Sequence, residues 1–287
     1  MKLIWTHIPV WSCLLLLSFS VSIGYAVDRS RTTRLIVEDV MIHPGKPAML
    51  HSRLVQEGPS GGSGLAGESI RFEVEGQKAG TAVTGEYGRA SLEFITPMRG
   101  NHVIKGFVEP SAKVQQAEGV GNFASWERRR PLLLVDLETV FKPHDILQHI
   151  VRPASFVQTM DALGDPEEHA PSELTKLGKY YYNIIYLYRG DASHRDAIRI
   201  WLQEHHFPPG ITKVVRLGAG PLLEFIASIK SQGWDTIEAG IGLSKEFAEA
   251  LLKNRISAVI LRPAPTDETF PRRTKFVTTW QKIRRYL

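Results

Sequence analysis

Apolar and polar positions alternate in twos through the first half of the chain. Ile70, Phe72 and Val74 alternate with Arg71, Glu73 and Glu75. Ala90, Leu92 and Phe94 alternate with Ser91 and Glu93, and Val103 with Ile104 opens a run that reaches Phe107. A period of two is that of a strand with one buried face. Glycine and proline punctuate these runs at Pro44-Gly45, Gly76, and residues 85–88 and 97–100, and no long helical period intervenes. Short strands at this spacing predict an antiparallel β-sandwich over residues 33–128.

From residue 129 to residue 287 the pattern changes. A short, wholly apolar run predicts a buried strand at 132–135, and further strands are read at 183–187, 211–217, 234–239 and 257–261. Between them apolar residues recur at helical spacing: Ile198, Trp201 and Leu202; Leu222, Leu223, Ile226 and Ile229; Phe247, Ala250 and Leu251. Ser193 with Asp196 has the outline of a capping box, and residues 208–210 end that helix. Strands alternating with helices predict a mostly parallel, Rossmann-like α/β domain with helices on both faces.

Residues 1–26 follow neither pattern. Lys2 precedes a nearly continuous apolar stretch over 10–23, and Gly24-Tyr25-Ala26 places small residues at the third and first positions before a cut. This is the pattern of a secretory signal peptide cleaved after Ala26, which predicts a periplasmic or secreted protein. An uncleaved anchor is the other reading, although the apolar core is short of the ~20 residues of a membrane span. The only cysteine, Cys13, lies in this segment. The mature chain would therefore have no disulfide, thiolate metal site or cysteine nucleophile.

The 287 residues are 43% hydrophobic and 23% charged, with a net charge of +5, a composition with room for two domains. Basic residues cluster at Arg128, Arg129 and Arg130 and in the tail from Arg272 to Arg285; such runs are usually solvated faces, and here could also favour an anionic surface. No nucleic-acid partner is expected. Residues 58–64 are rich in glycine and serine, but without a following Lys-Ser/Thr and helix they predict a flexible inter-strand loop. His205 and His206 point apart on a helix, which favours a helix-end role over metal binding. Tyr180, Tyr181 and Tyr182 are expected to lead into a strand as core and rim.

The chemistry concentrates where the run Leu132-Leu133-Leu134-Val135 ends in Asp136, followed by Leu137, Glu138 and Thr139. A strand stopping there holds two acids at its carboxyl end, where open α/β sheets bind ligands. The string resembles the first motif of the haloacid-dehalogenase-type phosphohydrolases, Asp-x-Asp-x-Thr/Val. Residues 183–190, then Trp201-Leu202 and Phe207-Pro208-Pro209-Gly210, and the Ala239-Gly240-Ile241-Gly242 turn resemble the catalytic domain of actin-patch-type phosphatidate phosphatases and the lipin-like region, over about residues 131–262. The first segment resembles bacterial immunoglobulin-like repeats in residues 65–74, the turn at 84–88 and Gly100-Asn101-His102.

The phosphatase resemblance implies Asp136 as nucleophile, Glu138 as proton donor, and Mg²⁺ held by Asp136, Glu138 and an acid beyond the Gly-x-Gly turn. The chain departs from that pattern at each helper. The second acid is glutamate, one methylene longer. Tyr188 stands where the family has a serine or threonine, leaving Arg189 to hold phosphate by charge. The third motif has no lysine near the helix beginning at Gly218. Leu243 and Phe247 stand at the places of an asparagine and a metal-binding aspartate, with Glu246 one residue away. Losing such groups removes the neutralisation on which phosphoryl transfer depends. The expected function is thus an exported phosphatase-like protein with a degenerate site, acting in binding or assembly. Its partner would be a phosphorylated small molecule or lipid, or an envelope protein. The alternative is an active Mg²⁺-dependent phosphohydrolase with Arg189 and Glu246 as rewired helpers.

Overall fold

The computed structural model describes residues 32–57, 62–111, 114, 116–142, 164–190, 192–263 and 269–287. The leader with Cys13 and Ala26, the first residues of the Gly/Ser loop (58–61) and Asp191 lie outside the described residues.

The alternating half forms two sheets packed as a β-sandwich. One contains β1 (Thr33–Val37), β3 (Pro47–Gln56), β4 (Ser63–Gly64) and β7 (Arg89–Ile95), all paired antiparallel with β3. The other runs β2 (Val40–Ile42), β9 (Ala117–Ser125), β8 (Gly100–Val108), β5 (Ser69–Val74), β6 (Gln77–Val83). Its pairs are antiparallel except β2 with β9. The alternation predicted from Ile70, Phe72 and Val74 is observed, and all three are buried. They meet Leu35, Leu50 and Leu54 from the facing sheet in one core, as expected when two inner faces interdigitate.

The second half forms a six-stranded parallel sheet among the described residues, in the order β12 (Ile211–Val214), β11 (Asn183–Tyr188), β10 (Leu132–Asp136), β13 (Ile237–Gly242), β14 (Ser257–Ile260), β15 (Lys275–Phe276). Strand β10 comes first in the chain but lies centrally, so the strand order reverses around it. Alternate residues of each strand feed opposite cores. Leu133 and Val135 meet α1 (Ala170–Tyr180) and α2 (Arg195–Glu204) through Leu174, Leu177, Ile198 and Trp201. Leu132 and Leu134 meet α3 (Ala219–Ser231) and α4 (Lys245–Lys253) through Ile226, Ile229, Phe247 and Leu251. Layers on both faces explain the apolar runs of the central strands β10 and β11.

Three local expectations are corrected. Helix α2 begins at Arg195 after a 3₁₀ turn over Ala192–His194, and its cap, His194, has helical angles (φ −84°, ψ −7°) with no side-chain capping bond. A capping box needs an extended cap residue, and the chain enters α2 already wound. Strand β13 starts at Ile237, three residues later than expected, because Trp234 belongs to a loop and is buried against His43 and Trp126. Residues 239–242, expected as a turn, are strand. Their glycines admit α4: a Cβ on Gly240 would lie 2.5 Å from Leu251 Cδ1, and one on Gly242 would lie 2.3 Å from Phe247 Cδ1. We expect Gly242→Ala to destabilise the protein by about 1–3 kcal/mol through overpacking, read as a lower urea midpoint.

Residues Thr32–Leu287 cluster as one unit. The sandwich and the parallel sheet join along β9 and β12. Ala124 and Trp126 lie in the same core as Leu132 and Ile211. At the seam the buried carboxylate of Asp39 accepts from Asn122 N–H (2.9 Å), Arg199 Nη2 (2.7 Å) and Thr212 N–H (2.7 Å). No described helix is long and apolar enough to cross a membrane.

Candidate functional site

Three neighbouring parallel strands each deliver one residue to their carboxyl ends. Asp136 ends β10, Arg189 follows β11, and Ser244 follows β13. Because the strand order reverses at β10, this is where an open α/β sheet leaves a crevice. Strand parity then selects the side chains. Tyr188 faces the α1–α2 core with Ile184 and Tyr186, and its hydroxyl lies 2.8 Å from His194 Nδ1. Arg189 projects to the opposite face, the face of Asp136. The pleat thus brings Arg189, and not Tyr188, beside Asp136.

Asp136 is fully buried, and its Oδ1 accepts from Glu138 N–H at 3.2 Å, capping the 3₁₀ turn Leu137–Thr139. Thr139 Oγ1 closes that turn by donating to Asp136 O at 2.7 Å. Trp280, itself buried, donates from Nε1 to Thr139 O at 3.0 Å and holds the turn from behind. Asp136 Oδ2 has Arg189 Nη1 at 3.5 Å, which is long for a hydrogen bond, and no closer donor among the described residues. The Arg189 side chain is only 5% exposed; Nη1 also donates to Ser244 Oγ at 3.1 Å, while its buried Nε has no partner. Ser244 in turn caps α4, its Oγ accepting from Phe247 N–H at 3.2 Å.

The electrostatics follow from burial. Loss of water, and then the Glu138 carboxylate, push Asp136 up to about 7 against the pull of Arg189. Burial also raises Glu138; the Arg189 charge opposes this, and the Glu246 carboxylate adds to it. The guanidinium thus sits among acids that lack full compensation.

Of the residues expected from sequence, Asp136, Glu138 and Arg189 come together, and Glu246 is close enough to influence Glu138 from the exposed first turn of α4. The described residues contain no group of three or more His, Cys, Asp or Glu placed to share a metal ion. Phe247, at the place of the expected metal aspartate, is fully buried with its ring against Gly240 and Gly242. Arg189 places a positive charge beside Asp136. Sequence reasoning missed Ser244 and Trp280. Ser244 had a local signal, a serine just before a helical period; Trp280 had none, since its partner Thr139 lies 141 positions away.

No family model matches the chain, and no curated protein matches it. Among solved structures, the fibronectin(III)-like modules of Clostridium thermocellum CbhA are similar over 33% of this chain and 98% of theirs, at 11% identity and a TM-score of 0.24. Chitinase ChiW from a Paenibacillus species matches over 87% of this chain and 30% of its own, at 9% identity and a TM-score of 0.25. A calcium-binding mutant of Bacteroides uniformis β-glucuronidase 2 matches over 73% of this chain and 27% of its own, at 8% identity and a TM-score of 0.29. The chain thus spans less than a third of the length of either enzyme. Superposition at this level assigns neither a family nor an activity.

Proposed function

We propose that the chain is an exported, phosphatase-like protein whose haloacid-dehalogenase-type site has turned from phosphoryl transfer to binding or assembly, behind an immunoglobulin-like sandwich. The observation that carries this reading is the Arg189 guanidinium beside Asp136. A nucleophile for phosphorus needs a free carboxylate oxygen and a cation that can also neutralise the phosphoryl group. Here the cation is a side chain anchored to Ser244, buried, and directed at the oxygen that would attack. The place of the metal acid is filled by Phe247, whose ring belongs to the core. Strand order supports the kinship, since Asp136 ends the central strand at the reversal point.

The test uses the full mature chain with Mg²⁺. Phosphate release from an aryl phosphate and from phosphatidate should not exceed that of Asp136→Asn, and Mg²⁺ titration should give no binding heat. Chelator-sensitive release that Asp136→Asn abolishes would establish instead the active phosphohydrolase with Asp136 as nucleophile.

A further inference from the structure

The positive charge of the chain is concentrated in its last residues. Residues 32–268 hold 26 lysines and arginines against 29 aspartates and glutamates, whereas residues 269–287 hold six against none. Such an asymmetry defines a surface only where the cations are held in place, and the fold holds these. Val277, Trp280 and Ile283 are buried in the α1–α2 core. Trp280 ties the 3₁₀ helix Trp280–Arg285 to the turn after Asp136, and Arg284 ties it to α1 through Glu173 at 2.7 Å. Lys275 on β15 donates to Tyr286 O at 2.6 Å and draws residues 272–275 toward the end of that helix.

The same anchoring turns the cations outward. Residues three apart eclipse in a 3₁₀ helix, so Lys282 and Arg285 share one exposed face while Trp280 and Ile283 share the buried one. Arg272 and Arg273, in the turn before β15, are exposed as well. Among the described residues, none of these four is paired with a carboxylate. Glu173, the acid that reaches the segment, is already shared by Arg284 and Lys176. Tyr286, 38% exposed, adds an amphipathic ring at the end of the same helix.

We propose that this surface docks on an anionic phospholipid bilayer, with Arg272, Arg273, Lys282 and Arg285 against the headgroups and Tyr286 at the interface. Cations without carboxylate partners complement a surface of repeated negative charges, and each one near that surface adds to the attraction. Tyrosine is enriched at the headgroup level. The choice of lipid over nucleic acid rests on the export reading of residues 1–26. Adsorption to vesicles does not rest on it, so the two can fail separately.

The full mature chain is sedimented with vesicles of equal parts phosphatidylglycerol and phosphatidylcholine, and with vesicles of phosphatidylcholine alone. It should bind the first and not the second, and raised salt should release it. Lys282→Gln combined with Arg285→Gln should weaken binding about tenfold to thirtyfold. Arg129→Gln combined with Lys179→Gln removes the same charge at the opposite, amino ends of β10 and β11 and should leave binding unchanged. All four positions are exposed, so the thermal midpoints should match wild type. Equal weakening by the two double variants would overturn the proposal, because net charge alone would then account for binding. So would an absence of binding to the anionic vesicles, or release by duplex DNA at a phosphate concentration below that of the lipid.

Discussion

Asp39→Ala should cost about 3–5 kcal/mol, the typical penalty for removing one partner of a buried ion pair. Asp39 sits in the short link between β1 and β2, yet most of its partners are distant in sequence. Its two carboxylate oxygens take up the Arg199 guanidinium and the backbone N–H groups of Asn122 and Thr212. Its own carbonyl oxygen accepts from Lys213 Nζ at 2.9 Å. Burial pushes the Lys213 ammonium down, and the Asp39 charge opposes that. Alanine would leave one buried cation short of its anion, two N–H groups without acceptors, and Lys213 with only Glu38 to support its charge. Arg199 also donates to Val120 O, so the strain would spread into β9. Urea unfolding followed by tryptophan fluorescence reads the result. Trp126 and Trp234 report the seam, while Trp201 and Trp280 report the α/β core. A midpoint within experimental error of wild type would show that the seam is held by apolar packing alone.

The same seam shows what could and could not be read from the chain. The wholly apolar run ending at Asp136 and the alternation around Phe72 were legible because each is a local pattern whose period fixes its burial. The pairing of Asp39 with Arg199 bridges 160 positions and involves two residues of ordinary surface type. No local period marks them. Arg189 lies between these cases. Its residue type invited an electrostatic role, and its place just after β11 sets it beside Asp136. The end of the strand at Ile237–Gly242 is hidden in the sequence because its glycines resemble turn residues. Their purpose becomes visible only when the rings and methyls of α4 are placed against them.

Asp136→Asn should stabilise the protein at alkaline pH and hardly change it in acid. The folded-state value of about 7 stands above the ordinary 3.8 chiefly because burial deprives the carboxylate of water. The sign follows from proton linkage. Below the ordinary carboxyl range both folded and unfolded chains carry the proton, and the group contributes nothing. As pH rises, the unfolded chain releases its proton first while the folded chain retains it, so stability falls until the folded carboxyl also ionises near 7. A shift of this size amounts to about 4 kcal/mol lost between about pH 4 and about pH 8. Asparagine keeps the shape of the protonated acid, retains an oxygen for Glu138 N–H, and cannot ionise. Glu138, raised by burial in the same sense, keeps a smaller slope in both proteins. Urea midpoints across this range should therefore converge in acid and separate steadily above about pH 5, with the variant higher. Parallel curves, or a variant less stable at about pH 8, would mean that Arg189 fully compensates the Asp136 charge, leaving no driving force to keep the proton. The direction of that pH dependence therefore measures how completely Arg189 compensates the buried Asp136 charge.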